Sequence, residues 1–417
     1  MNSFVPTIAA ILLAVYAFAW IVLRSTHDSR EPPLVDSWIP FFSPIIAMVW
    51  RGLNHWHAHN NLPLYTVRAL VFHIYILNST ALIPIVQRRI NSISFNPLLI
   101  QMSARFMAIG QTATEIIKSD PLSSHGFISG MNKTTHVDLS PGTKLDSLSE
   151  QAADVLTSSL RSLASSSTSL KMKQWVTYEA GLLPLLANVL PSFTARKYAR
   201  AREFLVRAYQ EYYSREGHAQ IDASAFIANR YKFYSDRGIP VPDIARIEVG
   251  AETFRFHGIG VSLRKVLHDE TLQGWLLKKD SIAADNSVPC WGGDVSRFDH
   301  KRFLRTVDNE KTGKQLNPVA FRGFGGGATL CPGRHFASTE ILVFVSLVIL
   351  KFDIRPLGDY WKIPSVKNSN PSMALNQPDH DLDVELTLRA QGTWNIQFTA
   401  SDGRMIISAE DMDTVIE

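Results

Sequence analysis

A single cysteine in a glycine-rich stretch is the feature of the sequence with the clearest chemical meaning. Glycines at 323, 325, 326, 327 and 333 surround Cys331, and an apolar run that predicts a helix begins at about Pro332. A thiolate that ligates the iron of a flat macrocycle needs small neighbours and backbone N–H donors around its sulfur. A helix that begins beside the sulfur also directs its positive end towards it. The pattern predicts that Cys331 is a thiolate ligand to haem iron.

Two other interpretations of this loop stay open on the residues alone. Residues 323–328 resemble a dinucleotide-binding loop with Asp353 as the ribose acid, but Pro318 precedes the loop where that site needs a buried strand. That interpretation also leaves Cys331 without a role. Alternatively, Cys331 is a buried structural cysteine, the commoner fate of a lone cysteine. Cys290 is not followed by an apolar run that predicts a helix, so we interpret it as structural.

Two further motifs precede the loop. Glu252-Thr-Phe-Arg255 places an acid and a guanidinium on one helical face, where they can form a charge-assisted pair. This spacing is common by chance, and an exposed helix pair is the plain alternative. Phe298-Asp-His-Lys-Arg302-Phe303 then adds a second arginine before the loop.

Together, in this order, the motifs resemble the cytochrome P-450 family of haem-thiolate monooxygenases, in its microsomal form. Phe324, Gly327, Cys331 and Gly333 match the family's FxxGxxxCxG haem loop. The resemblance implies that these four residues bind haem b, with Cys331 as the axial ligand of the iron. It also implies a contact between Arg264 and a haem propionate.

The resemblance also assigns a structural role to the upstream motifs. Glu252, Arg255 and Arg302 would form the triad that locks beneath the haem loop, although His300 replaces the more usual proline. Thr329 stands where the family often has an arginine or histidine, which puts one propionate contact in doubt.

The amino-acid sequence of the loop is most similar to that of the branch containing sterol hydroxylases and prostacyclin synthase, and to that of fungal members that act in secondary metabolism. This implies an enzyme that hydroxylates or epoxidises a lipophilic small molecule, such as a terpenoid, a steroid-like compound or a polyketide. Its electrons would come from NADPH through NADPH–cytochrome P-450 reductase, with cytochrome b5 as a second candidate donor. The alternatives are a peroxide isomerase of the same family, and a non-catalytic haem-binding remnant or mis-spliced chain.

The resemblance fails at two places. Residues 243–251 are similar to the first half of the family's distal helix, but Glu252 follows at once. A second, smaller gap is expected between Tyr178 and Glu179. Because the distal acid and alcohol are not recognisable, we assign no distal catalytic residue.

The remaining pattern predicts a mainly α fold with a minor β-sheet, that is, a cytochrome P-450 fold with an N-terminal transmembrane helix and part of the distal helix region missing. Strands are expected within 62–77, 266–284 and 382–398. Helices are expected within 145–163 and 196–213, and after an N-cap at Asn78. The run 334–350 is apolar almost all round, which predicts a helix buried on every side.

An uncharged apolar run of 20 residues, Phe4–Leu23, precedes all of these elements. A helix of this length spans about 30 Å, the thickness of a bilayer core. Arg24 and Arg30 follow it, which favours a single-pass anchor in the endoplasmic reticulum with the catalytic domain facing the cytoplasm. A cleaved signal peptide is the alternative. We expect an anchor at 1–24, a stiff proline-rich hinge from Pro32, and a catalytic domain over 25–417.

Composition narrows the class of partner. The 42 basic and 38 acidic residues are nearly balanced, so we expect no nucleic-acid partner. Hydrophobic residues make up 46% of the chain, and its 22 phenylalanines fit a large apolar interior or ligand cavity. Only two cysteines are present, which argues against a disulfide framework.

Overall fold

The computed structural model describes residues 4–35, 39–42, 62–69, 73–161, 177–178, 180–181, 185, 191–256, 263–285, 319, 323–327, 330–366, 378–380, 382–389, 396 and 398. The chain divides into two compact units. Met1–Leu98 and Ile259–Leu330 form most of the first, and Leu99–Gly258 and Cys331–Ile407 form most of the second.

The first unit holds two helices and seven strands among its described residues. They are α1 (Phe4–Ser25), β1 (Leu64–Arg68), β2 (His73–Leu77), α2 (Leu82–Arg88), β3 (Ile93–Ser94), β4 (Leu263–Val266), β5 (Glu270–Leu272), β6 (Trp275–Leu277) and β7 (Ile282–Asp285).

Five of these strands form one sheet in the order β1-β2-β7-β4-β3, in which only the β2–β7 pair is parallel. Strands β5 and β6 form a hairpin that turns at Gly274, whose φ of 87° suits glycine. Tyr75 of β2 and Val266 of β4 are fully buried in one hydrophobic cluster. The strands predicted within 62–77 and 266–284 are confirmed.

The predicted helix cap at Asn78 is wrong. Helix α2 begins at Leu82, and its N-cap residue is Ala81, whose side chain makes no capping hydrogen bond. The Asn78 side-chain amide instead donates to the carbonyl oxygen of Leu62 at 3.0 Å. This bond ties the Asn78 side chain to Leu62, two residues before β1, and not to the first turn of the helix.

The second unit is mainly helical. Its described elements are α3 (Asn96–Phe106), which begins at the end of the first unit, α4 (Gln111–Lys118), α5 (Phe127–Leu139), α6 (Thr143–Arg161), α7 (Pro191–Thr194), α8 (Arg196–Ser214), α9 (Ala225–Ser235), α10 (Val241–Phe256), α11 (Arg334–Lys351), β8 (Phe352–Pro356) and β9 (Val384–Leu388).

Helices α8 and α10 pack together, as do α5 and α9. The rings of Phe106 and Tyr178 stack at 4.5 Å within a buried cluster that includes Val249 of α10. Arg230 of α9 reaches Glu248 of α10 through a buried ion pair of 2.8 Å. The helices predicted within 145–163 and 196–213 are confirmed, and so is the mainly α fold with minor sheets. Strand β9 confirms part of 382–398; residues 390–395 lie outside the described part.

Helix α11 is not buried on every side, so that prediction is wrong. Leu347 is 3% exposed, but Ile341 and Leu342 are 59% and 54% exposed. Among the described elements, α11 packs chiefly against α6 and the adjacent strand β8. These neighbours cover one side of the helix and leave apolar side chains of the other side open to solvent.

Helix α1 contains one stretch, Pro6–Ser25, with a mean hydropathy of 2.3 and only 6% of its residues buried. By length and composition it can cross a membrane. The proline-rich segment that follows is not the free hinge that was predicted, because Leu34 forms a parallel bridge with Thr66 of β1.

Candidate functional site

The glycine-rich loop lies partly in each unit: Leu330 ends the first unit's stretch and Cys331 begins the second's. In the first unit, Gly327 has a φ of 57°, and the Leu330 N–H donates to its carbonyl oxygen at 3.0 Å. A Cβ at Gly327 would lie 2.8 Å from the Cβ of Gln87 in α2. Only glycine meets both the positive φ and this close approach. Phe324, in the same loop, is half-buried.

In the second unit, Cys331 is half-buried and comes three residues before the first residue of α11. A Cβ at Gly333 would lie 3.4 Å from Cδ1 of Leu139 and 3.9 Å from the Cys331 sulfur. The Cys331 carbonyl oxygen accepts hydrogen bonds from the backbone N–H and the guanidinium of Arg334, both at 3.4 Å.

Positive charge gathers at this end of α11. Arg334 and His335 open the helix, and both are buried, at 8% and 6% exposure. The N-terminus of a helix carries a partial positive charge, and the Arg334 guanidinium adds a full one. Both stabilise negative charge on a nearby cysteine sulfur.

These residues fit a haem group on the side of the sulfur. Gly333 leaves the approach to the Cys331 sulfur free of a side chain. Gly327 has a backbone conformation and a close contact with Gln87 that exclude a side chain at position 327. Helix α11, which begins three residues after Cys331, has no acidic residue in its first turn.

Arg264, predicted to contact a propionate, lies in β4 and is 3% exposed. It pairs with Ala283 of β7 in the sheet register. The propionate contact itself stays a prediction.

Of the predicted triad, Glu252 and Arg255 lie in α10, so the helical placement of the motif is confirmed. Their side chains lie outside the described part of the chain, as do Arg302 and Cys290, and the triad therefore stays a prediction. Helix α10 runs unbroken across residues 251 and 252. The ExxR motif and the segment before it, which resembles the start of the distal helix, thus form one 16-residue helix.

Sequence reasoning missed four residues that shape the loop: Gln87, Leu139, Arg334 and His335. No sequence signal marks Gln87 or Leu139, because each lies far along the sequence from the glycine that it contacts, Gly327 and Gly333 respectively. Arg334 and His335 could have been found from their place in the first turn of a helix that follows the candidate ligand.

The chain was compared with known proteins. The family model described as Cytochrome P450 matches residues 248–383, which include the ExxR motif and the whole loop. A cytochrome P450 monooxygenase, nodJ, of Hypoxylon pulicicidum is 23% identical over 506 aligned positions, covering 95% of this chain and 97% of that protein. The human 7-alpha-hydroxycholest-4-en-3-one 12-alpha-hydroxylase is 28% identical over 208 residues, which are 46% of this chain and 40% of that enzyme.

Among solved structures, the retinoic acid-bound cyanobacterial CYP120A1 superposes with a TM-score of 0.59 and 16% identity, covering 86% of this chain and 99% of that one. This likeness shows the fold. The family model thus matches the part of the chain that contains the candidate ligand Cys331, and the chain is similar over nearly its whole length to a fungal cytochrome P450 monooxygenase.

Proposed function

We propose that this chain is a membrane-anchored monooxygenase in which Cys331 is the thiolate ligand of the haem iron. The observation that carries the proposal is the half-buried Cys331 sulfur beside Gly333, just before a helix that opens with buried Arg334 and His335. When bound, the haem supplies the oxygen chemistry of the family, and a thiolate ligand favours cleavage of the O–O bond.

The chain's other loop residues hold and orient the cofactor in this proposal. Phe324, Gly327 and Gly333 are the further haem-binding residues of the loop in this proposal, and buried Arg264 is the proposed partner of a propionate. Glu252, Arg255 and Arg302 form the supporting triad proposed from the motifs.

For the substrate, we propose a lipophilic small molecule, hydroxylated or epoxidised in secondary metabolism, of the terpenoid, steroid-like or polyketide class. The apolar helix α1 supports a membrane-dissolved substrate. The fungal relative is named as a monooxygenase, and the human one is named for a steroid substrate.

We place an anchor at residues 1–24 and the catalytic domain at 25–417, facing the cytoplasm from the endoplasmic reticulum. The electron donors are NADPH–cytochrome P-450 reductase and cytochrome b5. Relative to the family, we propose gaps near 178/179 and 251/252. In support, the alignment with the fungal relative spans 506 positions, more than the 417 residues of the whole chain. The relative therefore has segments that this chain lacks.

The test of Cys331 is the difference spectrum of reduced, carbon-monoxide-bound membranes that express the full chain. We expect the strongly red-shifted Soret band of a thiolate-ligated haem, and its loss in Cys331→Ser. Cys290→Ser is the matched control, since it removes the only other thiol, and it should keep the band. Retention of the band in Cys331→Ser would refute the assignment.

Turnover is tested separately, with reductase, NADPH and panels of terpenoids, steroids and polyketides. Product that depends on all three components and on Cys331 supports the proposed reaction. A normal spectrum without product from any panel would contradict the proposed substrate classes while leaving the ligand assignment intact.

A further inference from the structure

The segment between α1 and the sheet is bound to the sheet by backbone hydrogen bonds. The Val35 N–H donates to the Thr66 carbonyl at 3.0 Å, and the Thr66 N–H donates to Pro33 at 2.9 Å. Further along, the Leu276 N–H of β6 donates to the carbonyl of Arg30 at 2.8 Å. Residues 33–35 therefore lie along the outer edge of β1, and Arg30 is tied to the β5–β6 hairpin.

A buried carboxylate lies at the centre of this segment. Glu31 is 1% exposed, and each of its two oxygens meets two hydrogen-bonding groups. The Tyr75 hydroxyl donates at 2.8 Å to the oxygen that lies 3.2 Å from Nδ1 of His73. The Lys278 ammonium, at 2.6 Å, and the Asp28 N–H, at 3.1 Å, donate to the other oxygen.

The partners of Glu31 come from three places in the chain: strand β2, the residue after β6, and the segment itself. Burial alone would raise the pKa of Glu31, but the hydrogen bonds from His73, Lys278 and Tyr75 outweigh it and hold that pKa well below its usual range. The carboxylate is therefore ionised at neutral pH. A buried ionised group is stable only while its partners stay in place.

The same sheet edge carries features suited to a membrane surface. Arg24 lies over the Trp20 ring at 5.5 Å at the end of α1, an aromatic–basic pair typical of the membrane–water interface. Arg68, at the end of β1, donates to the Thr26 hydroxyl at 3.2 Å and lies over the ring of Phe41. The next residue, Phe42, is 48% exposed.

We infer that Glu31 is a positioning residue that joins α1 rigidly to the sheet, so that the β1 edge with Arg68 and Phe42 lies against the lipid surface. The inference rests on the proposed anchoring of α1 and deepens it. A flexible tether would let the sheet turn freely on the bilayer. The Glu31 joint instead presents one edge of the sheet to the headgroups, continuous with the end of the anchor.

The test is hydrogen–deuterium exchange of the full haem-loaded chain in phosphatidylcholine nanodiscs. Glu31→Gln removes the charge and turns the amide NH2, itself a donor, towards the donors on one of the two oxygens, either Lys278 or Tyr75. We expect the amides of Val35, Thr66 and Leu276 to exchange at least about tenfold faster, since a buried partner is left unsatisfied. Glu270→Gln is the matched control: it neutralises a carboxylate of β5 that pairs with Arg89. It should leave these amides unchanged.

Tyr75→Phe is a second, milder variant, because it removes one donor and keeps the charge of Glu31. It should speed exchange of the same amides by a smaller factor. Exchange in α8 and in the β8–β9 pair serves as the folding check and should not change. Unchanged protection of residues 30–35 in both variants, with α8 intact, would overturn the inference. So would a Glu31→Gln chain that loses protection throughout.

The lipid contact is read out with a photoactivatable phosphatidylcholine in the same nanodiscs. We expect adducts at residues 39–42 and around Arg68 in the wild-type chain, and adducts spread over other surfaces in Glu31→Gln. Adducts absent from 39–42 in the wild type would overturn the assigned face. Alkaline carbonate extraction distinguishes failure of the proposed anchor from failure of the Glu31 joint. Release of the wild-type chain from membranes refutes the anchor. If the chain is retained but the exchange rates or the adduct positions differ from those expected, only the joint is refuted.

Discussion

The sheet edge of the first unit and helix α11 of the second differ in how far their side chains are covered. At the sheet edge even a carboxylate is buried: Glu31 is 1% exposed and each of its oxygens meets two hydrogen-bonding groups. On α11 the apolar side chains of Ile341 and Ile349 are 59% and 55% exposed. The more polar region is thus the better covered one.

The difference shows that burial depends on segments that return from elsewhere in the chain. Residues 26–35 return to β1 and β6 and close the sheet edge. For α11, the described neighbours are chiefly α6 and β8. The fungal relative aligns over 506 positions, more than this chain's 417 residues, so it has additional segments within the aligned span. We expect the corresponding helix of the relative to be covered on its open face.

A substitution at Leu347, the leucine of α11 that is 3% exposed, is expected to lower the free energy of unfolding most and so to test this comparison most directly. Leu347→Ala removes packed methyl groups and leaves a cavity, which costs about 2–5 kcal/mol of unfolding free energy. The measurement is denaturant unfolding of the full chain in detergent, followed by tryptophan fluorescence.

The matched control is Leu342→Ala, the same change at a leucine of the same helix that is 54% exposed. It should cost less than about 0.5 kcal/mol beyond its small change in helix propensity. Equal costs for the two variants would break the comparison, because they would mean that the outer face of α11 is covered in solution.

A smaller effect is expected at Gly327, in the first unit's part of the loop. Gly327→Ala places a Cβ 2.8 Å from the Cβ of Gln87 and imposes a φ of 57° on an alanine. Such backbone strain costs about 1–3 kcal/mol. We expect haem to dissociate at a lower temperature, measured by the loss of Soret absorbance on heating.

Gly358→Ala is the control for this variant, since a Cβ at Gly358 would meet nothing within 4 Å. The temperature of haem loss should match that of the wild type. If Gly327→Ala also kept the wild-type temperature, the tight approach of the loop to α2 would play no part in holding the cofactor.

Local patterns predicted much of the fold. Alternating β-branched and aromatic residues marked β1 and β2, and periodic apolar residues marked α8, whose bounds Arg196–Ser214 match the predicted 196–213 closely. These signals are contained within each element. The predicted N-cap at Asn78 was wrong because the Asn78 side-chain amide donates its hydrogen bond to the carbonyl oxygen of Leu62. Leu62 precedes β1 and Asn78 follows β2, so no local pattern indicates this bond.

The candidate site was predictable where its signal is local and not where it spans the chain. Cys331 and its glycines stand within one loop, so type and spacing were enough to name them. The contact of Gly327 with Gln87 joins two residues far apart in sequence, and nothing near either residue indicates it. The Glu31 joint is hidden in the same way, since its partners come from β2 and from the residue after β6.

The smallest expected effect concerns the pH dependence of the joint and rests on His27. Burial lowers the pKa of His27 below its usual 6.5; Glu31 raises it, and Arg68, Lys278 and His73 lower it further. As the pH falls, His27 therefore takes up a proton at a higher pH when its segment is detached from the sheet than when the segment is bound to it. The contribution of His27 is fully present above about pH 6.5 and is lost as the pH falls through the lower value of the docked state. Glu31 stays ionised in this range because its pKa is held far lower.

We therefore expect amides of residues 30–35 to exchange faster at about pH 5.5 than at about pH 7.5, by less than about tenfold after correction for intrinsic rates. In His27→Gln this change should shrink, because the titrating group is gone. His73→Gln is the companion variant, since His73 contacts Glu31 directly. If the change persisted undiminished in His27→Gln, the pH response would not come from His27.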